Sequence, residues 1–224
     1  MTHPTDVPQL HIARFAPQGI TAPQPGRLGV LGGAYNPITL AHLAIADAAV
    51  TEMHLDEVLF CLPQVPPHKT IFGATLEQRL DMMQLAVSDR FYATIGMCSH
   101  GLFLDIERSL RHRYPPDTDV FFITGRDAAE RILTWEYDDT ERALHEMFSA
   151  FQFIVCDREG AFVMPDDSRL ILYHSRIHHF AIPDGLDYIS STAIRDRLQQ
   201  HQPIDDLVPA AVADFIQQQD LYAT

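Results

Sequence analysis

The sequence of 224 residues predicts an α/β protein with a doubly wound parallel sheet in a single domain. Strand-like and helix-like stretches alternate along the chain, which is typical of this fold class. The stretches near 57–62 and 119–124 are apolar without interruption, as expected for strands of a sheet that helices cover on both faces. The length is that of one domain and is large enough for a sizeable core.

Each predicted element follows from its local pattern. Short apolar runs predict strands near 28–33, 57–62, 91–96, 119–124, 151–156 and 177–182. Apolar residues at helical spacing, several of them after a capping residue, predict helices near 40–53, 75–88, 126–133, 139–149, 191–200 and 209–219. Residues 1–25 are rich in proline and polar residues and lack the apolar stretch of a signal peptide. We therefore expect a loosely ordered extension there, followed by one domain over residues 26–224.

The first strand of this domain ends in a tight turn at Gly32 and Gly33, where the backbone can approach a ligand closely. Thr39 is placed to cap the helix that follows, and His42 lies one turn further on the same face. Free backbone N–H groups and the helix dipole attract anions to such a helix start. The segment favours phosphate binding, although a strand-turn-helix joint with a packed His42 has the same spacing.

A second segment has similar chemistry near the end of the chain. Ser190, Ser191 and Thr192 precede an apolar-periodic stretch, and Arg195 falls in the first turn of the helix predicted there. A hydroxyl-rich cap of this kind is usually structural when it stands alone. Together with the first segment, which points to a nucleotide, the second anion-ready helix start is not ordinary.

Together these segments resemble the signatures of the nucleotidylyltransferase superfamily, with Thr39 at the first histidine position and His42 at the second. Within it the chain is most similar to nicotinate- or nicotinamide-mononucleotide adenylyltransferases, because three further motifs follow in the expected order. These are LPQVPPHK at 62–69, QRLDM at 78–82, and Gly125-Arg126-Asp127 with Trp135 eight residues after the aspartate. The likeness extends from residue 27 to the C-terminus and implies a Rossmann-like form of the predicted sheet.

The resemblance implies transfer of AMP from ATP to the 5′-phosphate of a pyridine mononucleotide in NAD biosynthesis, with release of pyrophosphate. It assigns His42 to the α-phosphate in the transition state and Thr39 and Arg195 to the triphosphate. It also implies that Mg²⁺ arrives on ATP, so we expect no dedicated metal site, and His174, His178 and His179 lack a ligand pattern. The implied ATP-binding residues are Gly32, Gly33, Ala34, Tyr35, Asn36, Gly125, Asp127, Ser190, Ser191 and Thr192.

On the acceptor side, the resemblance assigns Lys69 and His68 to the mononucleotide phosphate and Trp135 to stacking on the pyridine ring. Phe103 and Leu104 stand where bacterial nicotinate enzymes carry Tyr and Thr, so two hydroxyls that read the pyridine substituent are absent. Ala41 replaces a family glycine. Arg79 resembles a family arginine but pairs equally well with Glu77 or Asp81 in sequence, and it receives no role.

Composition limits the kinds of partner and the cellular location that we expect for this protein. A formal net charge of −14 argues against nucleic acid, and no apolar run reaches the roughly 18 residues of a membrane span, so we expect a cytoplasmic enzyme. Cys61, Cys98 and Cys156 are far apart and odd in number, which predicts reduced core thiols. The only lysine, Lys69, lies inside a motif. The sequence leaves a homo-oligomer open.

Two other functions stay open. The first is adenylyl transfer to a different phosphorylated acceptor such as phosphopantetheine, whose enzymes also carry Thr at the first histidine position but lack the spacing of Trp135. The second is a non-catalytic nucleotide-binding protein. The joint presence of His42, Thr39 and Arg195 argues against it, because binding alone does not require a transition-state histidine.

Overall fold

One seven-stranded sheet forms the centre of the molecule. The computed structural model describes residues 7–64, 73–157, 160–182, 185–186 and 188–223. The strands are β1 (Leu10–Arg14), β2 (Arg27–Gly32), β3 (Glu57–Pro63), β4 (Ala93–Cys98), β5 (Asp119–Gly125), β6 (Gln152–Asp157) and β7 (Ile177–Ala181). Their order is β1-β4-β3-β2-β5-β6-β7. Every neighbouring pair is parallel except β1 with β4, and the direction of winding reverses between β2 and β5, which confirms the doubly wound parallel sheet.

Helices cover both faces of the sheet, as the uninterrupted apolar strands predict. They are α1 (Leu40–Met53), α2 (Leu76–Ala86), α3 (Phe103–Leu110), α4 (Arg126–Leu133), α5 (Thr140–Ala150), a 3₁₀ helix (Ser168–Arg176), α6 (Ser191–Gln199) and α7 (Ala210–Gln218). One buried core joins α1, α2, α6 and α7 to the sheet. A second core, on the opposite face, joins the sheet to α3, α4, α5 and the 3₁₀ helix.

The expectation of a loosely ordered extension is wrong for residues 10–14. These residues form β1, an antiparallel edge strand in which Leu10 pairs with Cys98 and Ile12 with Gly96. Gly96 makes room for the strand, because a Cβ there would lie 2.9 Å from the Leu10 side chain. The prolines of this region flank the strand and lie outside it, so composition averaged over 25 residues hides a five-residue apolar alternation.

The cysteines also differ from expectation. Cys61 on β3 and Cys98 on β4 form a disulfide, and only Cys156 is a free, buried thiol. The strand register explains the pairing, because Cys61 lies opposite Gly96, two residues before Cys98 on the neighbouring strand. A separation of 37 residues carries no such information in the sequence.

Candidate active site

An open cleft of about 750 Å³ lies at the carboxyl ends of β2 and β5, where the strand order reverses. This is the position at which doubly wound sheets bind their ligands. Its lining brings together most of the predicted site: Gly32, Gly33, Ala34, Tyr35, Asn36, Thr39, His42, Phe103, Gly125, Ser190, Ser191, Thr192 and Arg195.

Two glycines keep the floor of the cleft open. Gly32 ends β2 and Gly125 ends β5, and a Cβ added to either would meet no atom within 4 Å. Gly125 has an extended backbone with φ −77°, a conformation that any residue can adopt, so the backbone does not require glycine at this position. The empty space beside both backbones allows a ligand to approach them directly.

Thr39 and His42 form a reciprocal capping box at the start of α1. The Thr39 hydroxyl accepts from the His42 backbone N–H at 3.2 Å, and His42 Nδ1 accepts from the Thr39 backbone N–H at 3.1 Å. Because Nδ1 accepts this bond, a neutral His42 carries its proton on Nε2. The cap thus fixes both the ring orientation and the tautomer.

Tyr35 packs against the imidazole ring of His42. Its ring is 1% exposed, meets the His42 ring edge-on with centroids 5.1 Å apart, and donates its hydroxyl to the Leu31 carbonyl. Burial raises the pKa of Tyr35 well above its ordinary value, so the phenol stays protonated. Its backbone has φ 45°, in the left-handed region that bulky residues seldom adopt.

The start of α6 is hydrogen-bonded to the glycine turn, although more than 150 residues separate the two segments. Ser190 caps α6 by accepting from the Ala193 N–H at 3.1 Å. Ser191 Oγ donates to the Pro37 carbonyl at 2.8 Å, and Arg195 Nη1 donates to the Asn36 carbonyl at 2.7 Å. The two anion-ready helix starts therefore face one cleft with a guanidinium between them.

Two residues without a predicted role, Arg79 and Tyr222, support the turn. Arg79 is 4% exposed, and it pairs with neither Glu77 nor Asp81: its Nη1 donates to the Ala34 carbonyl at 2.9 Å. Burial lowers the pKa of Arg79 from its usual value. Tyr222 donates its hydroxyl to Asn36 Oδ1 at 2.7 Å. Only the resemblance of the 78–82 segment gave any signal for Arg79, and nothing local signals Tyr222.

The predicted acceptor residues, and Asp127 of the predicted ATP-binding set, are more dispersed. Phe103 lines the cleft as the first residue of α3 and stacks on Phe122 with ring centroids 4.5 Å apart. Leu104 packs against the second core, Trp135 follows α4 and is 57% exposed, and the Asp127 side chain is 91% exposed; none of the three lines the cleft. His68 and Lys69 lie outside the described residues.

Within the described ranges, no three His, Cys, Asp or Glu side chains are grouped closely enough to hold a metal ion. Among the helices of the same ranges, none has the length and apolar character needed to cross a membrane.

These features define a nucleotide-binding protein of Rossmann-like fold: a glycine turn and two hydroxyl-capped helix starts at the switch point of a doubly wound sheet. The sequence model of the family described as "Cytidylyltransferase-like" matches residues 30–197. The chain therefore belongs to the cytidylyltransferase-like family and, within it, to the nicotinate-nucleotide adenylyltransferases, as the relatives below show.

A probable nicotinate-nucleotide adenylyltransferase of Moorella thermoacetica is 34% identical over 209 residues, covering 89% of this chain and 93% of the relative. Another, of Citrifermentans bemidjiense, is 34% identical over 214 residues, covering 88% and 98%. Among solved structures, nicotinic acid mononucleotide adenylyltransferase of Plasmodium falciparum complexed with NaAD has a TM-score of 0.66 at 20% identity, covering 88% of this chain and 97% of that one. The relatives confirm the predicted family, and the solved structure confirms the fold.

Proposed function

We propose that the protein transfers AMP from ATP to the 5′-phosphate of nicotinate mononucleotide, forming the dinucleotide and pyrophosphate in NAD biosynthesis. Family membership supports the reaction. The convergence of the α1 and α6 starts on one cleft is the observation that carries the proposal, because it offers donors to two polyanionic substrates at once.

The chemistry requires alignment and charge neutralisation. The attacking phosphate is already an anion, so no general base and no covalent intermediate are needed. The Nε2–H of His42 is suited to donate to the α-phosphate as negative charge builds there, because the Thr39 cap has already set its tautomer. Arg195 adds positive charge beside the same turn, where the leaving pyrophosphate would develop its own charge.

The site fits Mg²⁺ that binds as a complex with ATP. The donors around the turn are backbone amides, hydroxyls, an imidazole and a guanidinium, which bind phosphate oxygens, whereas Mg²⁺ prefers oxygen ligands such as carboxylates and phosphates. When it is bound to the triphosphate, Mg²⁺ neutralises charge that the protein would otherwise have to offset. The residues of this chain then hold the phosphates and not the ion.

The start of α3 supports nicotinate over nicotinamide as the acceptor base. Phe103 opens this helix at the cleft, and Leu102 gives its first turn no side-chain cap. Backbone N–H groups at the positive end of a helix favour a carboxylate over a neutral carboxamide. In this proposal, backbone N–H groups at the start of α3 make the distinction, in place of the hydroxyls that Phe103 and Leu104 lack.

The remaining acceptor contacts are proposed from the family motifs. Trp135 has an exposed ring just beyond the C-terminal end of α4, the helix that begins at the Gly125-Arg126-Asp127 motif, and an exposed ring is available to stack on the pyridine ring. His68 and Lys69 would meet the mononucleotide phosphate. We also propose the cytoplasm as the place of action.

The test measures pyrophosphate release from ATP and Mg²⁺ with nicotinate mononucleotide, nicotinamide mononucleotide or phosphopantetheine, and with the His42→Ala variant as a blank. We expect turnover with both pyridine nucleotides and a higher kcat/KM for nicotinate mononucleotide. Turnover with phosphopantetheine alone would reassign the acceptor. No turnover with any of the three, while ATP still binds, would instead favour a nucleotide-binding protein without this activity.

A further inference from the structure

The chain returns to the phosphate-binding turn at its C-terminal end. After α7, Leu221 and Tyr222 are 6% and 5% exposed and belong to the first buried core. Tyr222 has φ 67°, a left-handed conformation that a bulky aromatic residue adopts only when its surroundings hold it there.

The Tyr222 hydroxyl contacts the turn itself. It donates to Asn36 Oδ1 at 2.7 Å, and both residues are buried. The carbonyl of Asn36 accepts from Arg195, and the carbonyl of Ala34 accepts from Arg79. Three side chains, one each from α2, α6 and the C-terminal segment, thus hold Ala34 and Asn36 of the same turn.

The ring of Tyr222 has a second contact, with Gly73. A Cβ at Gly73 would lie 2.6 Å from Tyr222 Cδ1, and Gly73 itself has φ 87°, so only glycine suits this position. Gly73 directly follows residues 65–72, which contain the motif histidine and lysine at 68 and 69. Tyr222 therefore contacts Asn36 in the glycine turn and also Gly73, which follows the predicted acceptor residues His68 and Lys69 in the sequence.

We propose that Tyr222 is a positioning residue that fixes the Asn36 turn for the phosphates of ATP. The proposal rests on the proposed function for its kinetic consequences, although not for its effect on ATP binding. Without the hydroxyl, Asn36 Oδ1 loses this buried hydrogen bond and the turn relaxes. A shift of about 1 Å in substrate position is enough to cost about 100-fold in rate.

The experiment compares Tyr222→Phe with Tyr114→Phe. Tyr114 is the matched control because its hydroxyl also donates to a buried acceptor, Glu57, at the opposite end of the sheet from the cleft. Each variant loses one buried phenol hydroxyl and keeps its ring. We expect both to lower the melting temperature by several degrees. Only Tyr222→Phe should lower kcat/KM for ATP by about tenfold or more, with the acceptor KM within about twofold of wild type.

Equilibrium titration with ATP in the absence of acceptor separates this proposal from the proposed function. If wild type turns over no pyridine mononucleotide, the proposed function fails, yet weaker ATP binding by Tyr222→Phe still supports the positioning role. In a double-mutant cycle, Asn36→Ala should remove most of the effect of Tyr222→Phe. ATP kinetics and ATP affinity that change no more than in Tyr114→Phe, or effects additive with Asn36→Ala, would overturn the proposal.

Discussion

His42 is held before any substrate arrives. Its Nδ1 accepts from the Thr39 amide and its ring rests against the edge of Tyr35, so the proton on Nε2 is already directed by the fold. A donor of this kind costs no reorganisation when charge develops in the transition state. Its contribution should therefore appear in the rate and not in the affinity for ATP.

Replacement of His42 by alanine should lower kcat by about 100-fold or more while the Kd for ATP stays within about twofold, because an interaction made in the transition state is lost. His145→Ala, on an exposed position of α5, is the control and should leave both values unchanged. Steady-state kinetics and ATP titration measure the two effects. A comparable loss of ATP affinity in His42→Ala would move the residue to ground-state binding.

Gly125 tests whether open space at the strand ends is used by the ligand. Alanine can adopt φ −77° without strain, and its methyl group would meet no protein atom within 4 Å. We expect Gly125→Ala to raise the Kd for ATP about tenfold with an unchanged melting temperature. Gly29→Ala should do the reverse and cost about 1–3 kcal/mol of stability, since its Cβ would lie 2.7 Å from Leu55 Cδ1. Unchanged ATP affinity in Gly125→Ala would show that ATP does not use this space.

The starts of three helices, α1, α3 and α6, line the cleft, and local sequence predicts two of them but not the third. Thr39 and Ser190 cap α1 and α6 by bonds within three residues, so the sequence predicts both starts. The start of α3 has no side-chain cap and the helix spans eight residues, so neither a capping pattern nor length reveals it. Contacts between distant segments are equally hidden: Arg79 with Ala34 joins residues 45 apart, and Tyr222 with Asn36 joins residues 186 apart.

The chain offers a matched pair of helix caps, because Thr39 on α1 and Thr75 on α2 both form capping boxes. Replacing either threonine by alanine should cost about 1 kcal/mol of stability through the lost cap. Only Thr39→Ala should also lower kcat, by about tenfold, since His42 then loses the hydroxyl that lies 2.7 Å from its Nδ1. Chemical denaturation and steady-state kinetics distinguish the two results. A matching fall in kcat for Thr75→Ala would mean that general destabilisation, and not orientation of His42, causes the loss.

The sheet as a whole explains why segments so far apart in sequence meet. Because winding reverses between β2 and β5, the connections that leave these strands diverge to opposite faces and leave a cleft between them. On one side of the cleft, β3 and β4 are joined by the Cys61–Cys98 disulfide near their carboxyl ends. This bond closes a long loop that contains α2, so it constrains the unfolded chain as well as the folded sheet.

The disulfide and the free thiol together give a prediction for the intact molecule. Burial and the nearby Asp157 carboxylate raise the pKa of Cys156 to about 12, so almost no reactive thiolate exists at pH 8. For protein purified without reductant, a thiol reagent should detect no thiol group in the native state, one after denaturation, and three after denaturation with reduction.

Reduction of the disulfide should lower the free energy of unfolding by up to about 4 kcal/mol, the chain-entropy value for a 37-residue separation. Cys98→Ser should abolish this sensitivity to reductant, whereas Cys156→Ser should retain it. Three thiols in the denatured, unreduced protein would contradict the pairing and return Cys61 and Cys98 to the reduced state that their sequence spacing suggests.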